Sequence, residues 1–553
     1  MNDILNWEKH RALIVPVLIF LVLLTFAAAF LPPQTVWITD NGNKLMIMHN
    51  FAEYGSIFFN HANPENFPFC GFHFQSLADG RITSFHSPYL PVLTAYLYRL
   101  AGSTAVVLPS ILSLTVICAL FFRFPGRKRR YFTFLAATPL IFYALLIWEM
   151  LPAACAVTVA AWCFFRKRFT IAGVFFGCGI WMREELYLLG FILMLILFCQ
   201  RQWRVTMRFA AGAAFPVLAL WMTNYLLFNN ITGIHGSSYF VNNREGFSLL
   251  LWGKEVLFNF YQHLLRFETL PGKFNYFLIA ALLPVMIAGA APGYRRWQLF
   301  KYISGGVFTA AAMTAAVFLW REKAYLLVSA RTFGLFFSVP ILLGYMLNWR
   351  QLICDRHRMV SCAAWLTALY MLTIPFLLNP NDIGLTWGAR HFIMVLPLMV
   401  LLSAYAWGKS GLFRGICGKS IFTGVLLAGI IIQLYGVYAL VKVAGDTEYL
   451  QNEILTLPHE TVLSDVFFLP EMTPLVPAAK LQLEIASPQQ MASAMKYLSD
   501  SGTNSFILLL SPDYRRISNQ ELGKLLTRYP PRMRPVPIVI GNSLLVYLTV
   551  CSK

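Results

Sequence analysis

Charged residues are scarce in this sequence of 553 residues, where only 12% are Asp, Glu, Lys or Arg. Soluble domains usually contain about 25%, so the chain has too little charge to cover a soluble surface of its size. Hydrophobic residues make up 58% and aromatic residues 15%, and the mean hydropathy is +0.60. This composition excludes a soluble, disordered, coiled-coil or collagen-like protein. It predicts an α-helical polytopic membrane protein.

The sequence also lacks the cysteine spacing of a disulfide framework or a zinc site. None of its ten cysteines forms a CxxC pair, and most lie within apolar runs. The histidines, including His86 and His391, show no metal-ligand spacing. We therefore expect no disulfide framework, no metal and no cofactor.

Acidic residues are scarcer than basic ones, with 25 Asp and Glu against 44 Lys and Arg. A nucleic-acid-binding protein gathers its basic residues on one exposed face, whereas here they form short clusters between apolar runs. If the N-terminus is cytoplasmic, the cytoplasmic segments hold 22 Lys and Arg but only three acidic residues. The loops on the opposite side hold 10 Lys and Arg and 12 acidic residues. This asymmetry follows the positive-inside rule and indicates no nucleic-acid partner.

Apolar runs of sufficient length predict about thirteen transmembrane helices in the cell (inner) membrane. The run at 88–122 counts as one crossing, because two crossings would place the RFPGRKRR cluster outside. A transmembrane domain at 1–443, with external loops at 32–87 and 229–274, then precedes a small external (periplasmic) α/β domain at 444–553. In that domain the pattern predicts strands and one helix. The strands are 462–464, 481–485, 505–510, 536–540 and 544–550, and the helix is 488–500.

Several charged residues stand in the predicted external loops, where charges near the membrane usually face a cavity or a partner. Asp40 precedes apolar residues at helical spacing, which predicts an amphipathic helix lying on the bilayer; Asp40 then serves either as its N-cap or in chemistry. Glu149 is a lone acid between apolar runs, either a solvated turn residue or a functional one. Arg183 and Glu184 are either a structural pair or part of a site. Arg331 lies near the outer end of a span, and its permanent charge calls for an anion.

The order of these motifs resembles the C-type glycosyltransferase (GT-C) superfamily of membrane enzymes over about 1–440. The resemblance is to bacterial relatives of protein O-mannosyltransferases and of lipid A aminoarabinose transferase. The residues that carry it are Asp40 before a helix, His86-Ser87-Pro88-Tyr89-Leu90-Pro91, Thr138-Pro139 before Glu149, Ala172–Gly177 before Arg183-Glu184, and Trp387-Gly388-Ala389-Arg390-His391.

This resemblance implies a glycosyltransferase, for a hexose or a pentose. It would move the sugar from a polyprenyl-phosphate donor to a lipid, glycan or protein acceptor of the cell envelope, on the external face. Asp40 becomes the general base and Glu149 an accessory acceptor-site or positioning group. The residues expected to bind substrate and phosphate are Lys44, His86, Arg183, Glu184, Arg331 and Arg390. An Asp-x-Asp metal site would need a second acid two residues after Asp40, but Asn41-Gly42 follows Asp40 instead. We therefore expect that no metal is required.

Two other functions stay open. A lipid-carrier glycan polymerase or ligase also has a large external loop, and the 229–274 loop carries Arg244, Lys254 and Arg266. A transporter or flippase would also have many spans, but it usually shows repeated halves with broken helices. No such internal repeat is found in this sequence.

Overall fold

The computed structural model describes most of the chain. The described residues are 2–32, 35–59, 74–77, 79–84, 86–123, 135–234, 249–266, 272–291, 295–322, 334–377, 390–409, 415–466, 468–485, 487–512, 517–540 and 544–553. Arg331 and Arg244 lie outside these ranges, as do residues 235–248 and 267–271 of the 229–274 loop.

Helices dominate the first 456 residues, as the composition predicts. The longer ones are α1 (Asn2–Phe30), α2 (Thr39–Tyr54), α3 (Tyr89–Ala101), α4 (Leu108–Phe121), α6 (Met150–Phe165), α7 (Phe169–Met182), α8 (Leu186–Cys199), α9 (Trp203–Phe228), α10 (Leu249–Phe260), α11 (Gly272–Ala290), α12 (Arg295–Glu322), α16 (Arg358–Leu377), α17 (Leu396–Lys409) and α18 (Ile416–Thr456). Short helices lie between them: α5 (Leu140–Ala144), α13 (Leu335–Ser338), α14 (Leu343–Met346) and α15 (Trp349–Ile353).

Within the described ranges, 4 helices are long and apolar enough to cross a membrane: α9, most of α12, α16 and α18. Six shorter apolar helices of 10–17 residues accompany them. The predicted crossing at 88–122 is divided into α3 and α4, which a 3-10 turn at Ser103–Val106 separates. Thirteen residues make α3 only about 20 Å long, less than the bilayer core. The total of thirteen crossings stays a prediction.

Helices α7 and α9 pack closely because glycines remove side chains from their contact. A Cβ at Gly173 would lie 2.1 Å from the Phe209 carbonyl oxygen, and one at Gly212 would lie 2.0 Å from that of Thr170. Small residues four apart, here Gly173 and Gly177, are a common device for close packing of membrane helices. The Ala172–Gly177 motif therefore has a packing role in this fold.

The C-terminal part is an α/β unit on a mixed five-stranded sheet. The strands are β3 (Thr461–Ser464), β4 (Leu481–Glu484), β5 (Ser505–Leu510), β6 (Val536–Ile540) and β7 (Leu544–Ser552), after a small hairpin of β1 (Phe74–Ser76) and β2 (Ile82–Ser84). The sheet order is β4-β3-β5-β7-β6, with β3 parallel to β4 and β5 and with β7 antiparallel to β5 and β6. Its helices are α19 (Leu469–Met472), α20 (Val476–Ala479), α21 (Pro488–Asp500) and α22 (Asn519–Arg528). The strands and the helix predicted from the sequence are confirmed.

Helix α18 connects the two parts without a break. It continues past the predicted boundary at 443–444 to Thr456. Its 41 residues make it about 60 Å long, about twice the thickness of a bilayer core. Helix α18 is therefore longer than a bilayer core requires, and its C-terminal end carries the α/β unit.

The first half of helix α2 lacks the exposed polar face of the amphipathic helix that the apolar spacing predicts. All nine residues from Asp40 to Met48 are buried, whereas an interfacial helix would expose one face. Helix α3 covers it on one side and α19 of the α/β unit on another. A Cβ at Gly42 would lie 1.4 Å from the Glu471 carbonyl oxygen, so only glycine permits this contact.

We expect Gly173→Ala to lower the thermal stability of the purified protein, because the added methyl group would overlap the backbone of Phe209. Gly306→Ala is the matched control. Gly306 lies in α12, where an added methyl group would have no atom within 4 Å, and alanine favours a helix by about 0.5–1 kcal/mol over glycine. Thermal unfolding in detergent measures both. Equal melting temperatures for the two variants would contradict the packing described here.

Candidate active site

The first turn of α2 places two charged side chains on one face of the helix. Asp40 is its second residue and Lys44 follows one turn later. The N-cap position belongs to Ile38, which makes no side-chain cap hydrogen bond. Asp40 is therefore not the N-cap, and that interpretation is wrong.

The carboxylate of Asp40 pairs with a cation that is 350 residues away in the chain. Arg390 Nη1 donates to Asp40 Oδ2 at 3.1 Å, and His86 Nε2 lies 3.7 Å from Oδ1. Arg390 also donates from Nε to His391 Nε2 at 3.2 Å. A buried carboxylate needs a compensating cation, and Arg390 supplies it.

Glu149 lies between two cations and immediately precedes α6. Lys44 Nζ is 3.2 Å from Glu149 Oε2, and Arg183 Nη1 is 3.0 Å from Oε1. Lys44 also donates to the carbonyl oxygen of Asp40 at 3.3 Å. Because Glu149 is buried, the interpretation as a solvated turn residue is wrong.

Glu185 completes the arrangement. Arg183 donates to both of its carboxylate oxygens, and His391 Nδ1 lies 3.3 Å from Oε1. Burial opposes ionisation of Glu185, but Arg183 and His391 outweigh it and hold the pKa of this carboxyl well below its usual value.

These contacts form a closed ring of ionisable groups, which we call the ionic ring. Following the contacts, its members are Asp40, Arg390, His391, Glu185, Arg183, Glu149 and Lys44, with His86 beside Asp40. The ring closes where Lys44 reaches the backbone of Asp40. It therefore holds three carboxylates and three Lys and Arg side chains, drawn from four separate segments of the chain, and His86 comes from a fifth.

Backbone contacts hold these segments in register. Asn41 Nδ2 donates to the Ile147 carbonyl oxygen at 3.1 Å, which ties α2 to the segment before Glu149. Ser87 Oγ donates to the Trp181 carbonyl oxygen at 3.3 Å. The Tyr370 hydroxyl donates to the His391 carbonyl oxygen at 3.1 Å. Each charged residue thus stands on a segment fixed by a neighbour.

Exposure divides the ring into an open side and a sealed side. Four side chains are 11–20% exposed, so a substrate can reach them: those of Asp40, His86, Arg183 and Glu185. The side chain of Lys44 is 0% exposed. This burial argues against the direct phosphate contact predicted for Lys44.

The structure places Glu185, the neighbour of the predicted Glu184, in the ionic ring. Glu185 bonds Arg183 and His391 in the ring, whereas the predicted Glu184 lines a cavity of about 30 Å³ with His86 and Tyr89. Glu185 directly precedes α8, just as Glu149 directly precedes α6. The position directly before an apolar helix, which both glutamates share, could have indicated Glu185 from the sequence.

His263 is a second residue that the sequence did not indicate. It is buried in the π-helical turn Tyr261–Leu265, and its ring packs edge to face on His391 with centroids 5.2 Å apart. Among the described residues, no group of three or more His, Cys, Asp or Glu could hold a metal ion. The predicted Arg331 cannot be placed, since it lies outside the described ranges.

Comparison with solved structures finds the same fold in ArnT from Cupriavidus metallidurans. The chain matches ArnT bound to undecaprenyl phosphate and ArnT in the apo state, each with a TM-score of 0.52 and with 97% of both chains covered. Sequence identity is only 13% and 12%. The likeness shows that the chain has the fold of ArnT, and the resemblance predicted from the sequence is confirmed at the level of the fold. No protein-family model matches the sequence, and no curated protein matches it either.

We expect Glu149→Gln to destabilise the protein, because it leaves the sealed ammonium of Lys44 without its carboxylate. Removing one partner of a buried ion pair typically costs about 3–5 kcal/mol. The double variant Lys44→Met/Glu149→Gln removes both charges and should recover part of the loss. Thermal unfolding of the single and double variants is the measurement. A double variant less stable than Glu149→Gln would show that Lys44 and Glu149 are not coupled.

Proposed function

We propose that this protein is a membrane glycosyltransferase that moves a sugar from a polyprenyl-phosphate donor to an acceptor of the cell envelope. The observation that carries the proposal is the ion pair between Asp40, whose carboxylate is on the open side of the ionic ring, and Arg390, whose side chain is 7% exposed. It joins a carboxylate that can take a proton to a cation that can bind a phosphate. The GT-C-like fold supports the same function, as does the undecaprenyl phosphate named with one ArnT structure.

The proposed reaction is a single displacement. Asp40 takes the proton from the acceptor hydroxyl while the acceptor oxygen attacks the anomeric carbon. The bond between that carbon and the phosphate oxygen breaks, and its electron pair stays on the departing lipid phosphate. Arg390 and Arg183 stabilise this anion through charge-assisted hydrogen bonds. Such a displacement inverts the anomeric centre.

The sealed members of the ring have a supporting role in this proposal. Lys44 holds Glu149, and Glu149 in turn orients Arg183 toward the open side. Glu149 is then a positioning residue, as one of its two predicted roles requires. Because two guanidinium groups serve the leaving phosphate, a metal is not required.

Asp40→Asn tests the base. The amide keeps the shape of the side chain and an oxygen that accepts from Arg390, but it cannot take the proton. We expect a loss of about 10²–10⁴ in the rate of sugar transfer, with donor binding retained. The measurement is single-turnover transfer from a polyprenyl-phosphate sugar in liposomes, together with donor binding and thermal unfolding of the same preparation.

Asp79→Asn is the matched control, because Asp79 also pairs with an arginine, Arg81, but both side chains are about half exposed. It should leave the rate unchanged. Near-normal transfer by a folded Asp40→Asn variant would exclude Asp40 as the base. Addition of a chelator should not change transfer by the unaltered protein.

The proposed site faces the external side, so the α/β unit should lie outside as well. A reporter fused after Lys553 is expected to be active only on the external side of the membrane, since charge asymmetry places the basic loops inside. The matched fusion after Gln202, in the turn between α8 and α9, should report the cytoplasm. A cytoplasmic signal after Lys553 would mean that one crossing has been miscounted.

A further inference from the structure

The helices that carry the ionic ring also enclose a large apolar cavity toward their other ends. It has a volume of about 480 Å³ and lies between α6, α7, α8, α9, α16 and α17. Glu149 precedes α6, whereas the cavity is lined by the second half of that helix, from Val157 to Phe165. Sixteen residues make α6 about 24 Å long, so the cavity opening at Phe165 and the ionic ring are at opposite ends of one helix.

The cavity needs an apolar occupant. Its lining consists of aliphatic and aromatic side chains apart from a few polar atoms, those of His357 and Tyr405 among them. An apolar cavity does not hold ordered water, and one of this size destabilises a protein if nothing fills it. The volume lies within the usual range for sites that bind small molecules.

The opening of the cavity is basic. His357 lines the cavity yet is exposed, and its ring stacks on Phe165 with centroids 5.8 Å apart. Arg356 and Arg358 flank it and are exposed, and Arg166, Lys167 and Arg168 follow Phe165. The nearby carboxylate of Asp355 is compensated by Lys409 at 2.6 Å. The sequence predicts that this end faces the cytoplasm.

We propose that this cavity binds an anionic phospholipid, with one acyl chain inside and the phosphate against Arg356 and Arg358. Basic openings between membrane helices on the cytoplasmic side suit anionic headgroups, and the apolar lining suits an acyl chain. The site is separate from the ionic ring, and the proposal does not depend on the proposed function.

Native mass spectrometry of the full-length protein tests the headgroup preference. Phosphatidylglycerol and phosphatidylcholine with identical acyl chains are compared. We expect phosphatidylglycerol to bind about tenfold more tightly, and Arg356→Gln/Arg358→Gln to remove that preference. The matched control Arg123→Gln/Lys419→Gln removes two exposed charges from α18 and the end of α4, which do not line the cavity, and should retain it. Equal binding of the two lipids, or equal losses in both double variants, would overturn the proposal.

A photoreactive group at the end of the acyl chain tests the location. Phosphatidylglycerol of this kind should label peptides of α6 and α16 in proteoliposomes. Ala363→Phe places a ring in the cavity and should suppress that labelling, whereas Ala310→Phe, at an exposed position of α12, should not. If Ala363→Phe fails to fold, the peptides labelled in the unaltered protein decide the matter. Labels confined to helices outside the cavity would overturn the assignment.

Discussion

The cost of burying charge is the constraint on which the rest of this structure depends. An ionised group taken out of water costs several kcal/mol unless an opposite charge and hydrogen bonds replace the water. Each charged member of the ionic ring meets this condition through a partner from a distant part of the sequence. Because every carboxylate has a cation and every cation a carboxylate, the helices that carry them cannot shift independently. The charges therefore fix the relative positions of the loops before α6 and α8, the turn before α17 and the start of α2.

Close backbone packing is the second requirement, and it makes the burial possible. Glycines let α7 approach α9, so that the loop with Arg183 and Glu185 leaves α7 at a defined position. Gly42 has the same effect beside Asp40, where it admits the backbone of Glu471 from the α/β unit. The C-terminal part thus packs directly against the helix that carries Asp40.

The sequence predicted well what depends on local patterns and poorly what depends on tertiary contacts. Short apolar runs between turn residues indicated the strands of the α/β unit, because the central strands β3 and β5 are buried along nearly their whole length. The same reasoning failed for α2. Apolar spacing indicates which side of a helix is buried, but it does not reveal that Glu471 and α3 cover the polar side as well.

The ionic ring was predictable only in part, for a related physical reason. Asp40, Glu149, Arg183 and Arg390 were recognisable because charges beside apolar spans are costly and therefore few. Their partners were not recognisable, since the pairing of Glu149 with Lys44 or of Glu185 with His391 depends on how helices far apart in sequence pack together. The choice of Glu184 over Glu185 has the same origin. Only the direction in which each side chain leaves the loop separates the two residues, and that direction is set by the fold.

The composition of the ring suggests how donor and acceptor chemistry are linked in the proposed reaction. Arg390 donates to Asp40, and in the proposed reaction the same guanidinium also binds the phosphate. Its five N–H donors can serve two anions, but each hydrogen bond given to the phosphate weakens its hold on the carboxylate. Arrival of the donor would then loosen Asp40 and leave it available to the acceptor hydroxyl. In the proposed reaction Asp40 is therefore restrained until the leaving group is bound, which gives a reason for Asp40 and Arg390 to be direct neighbours.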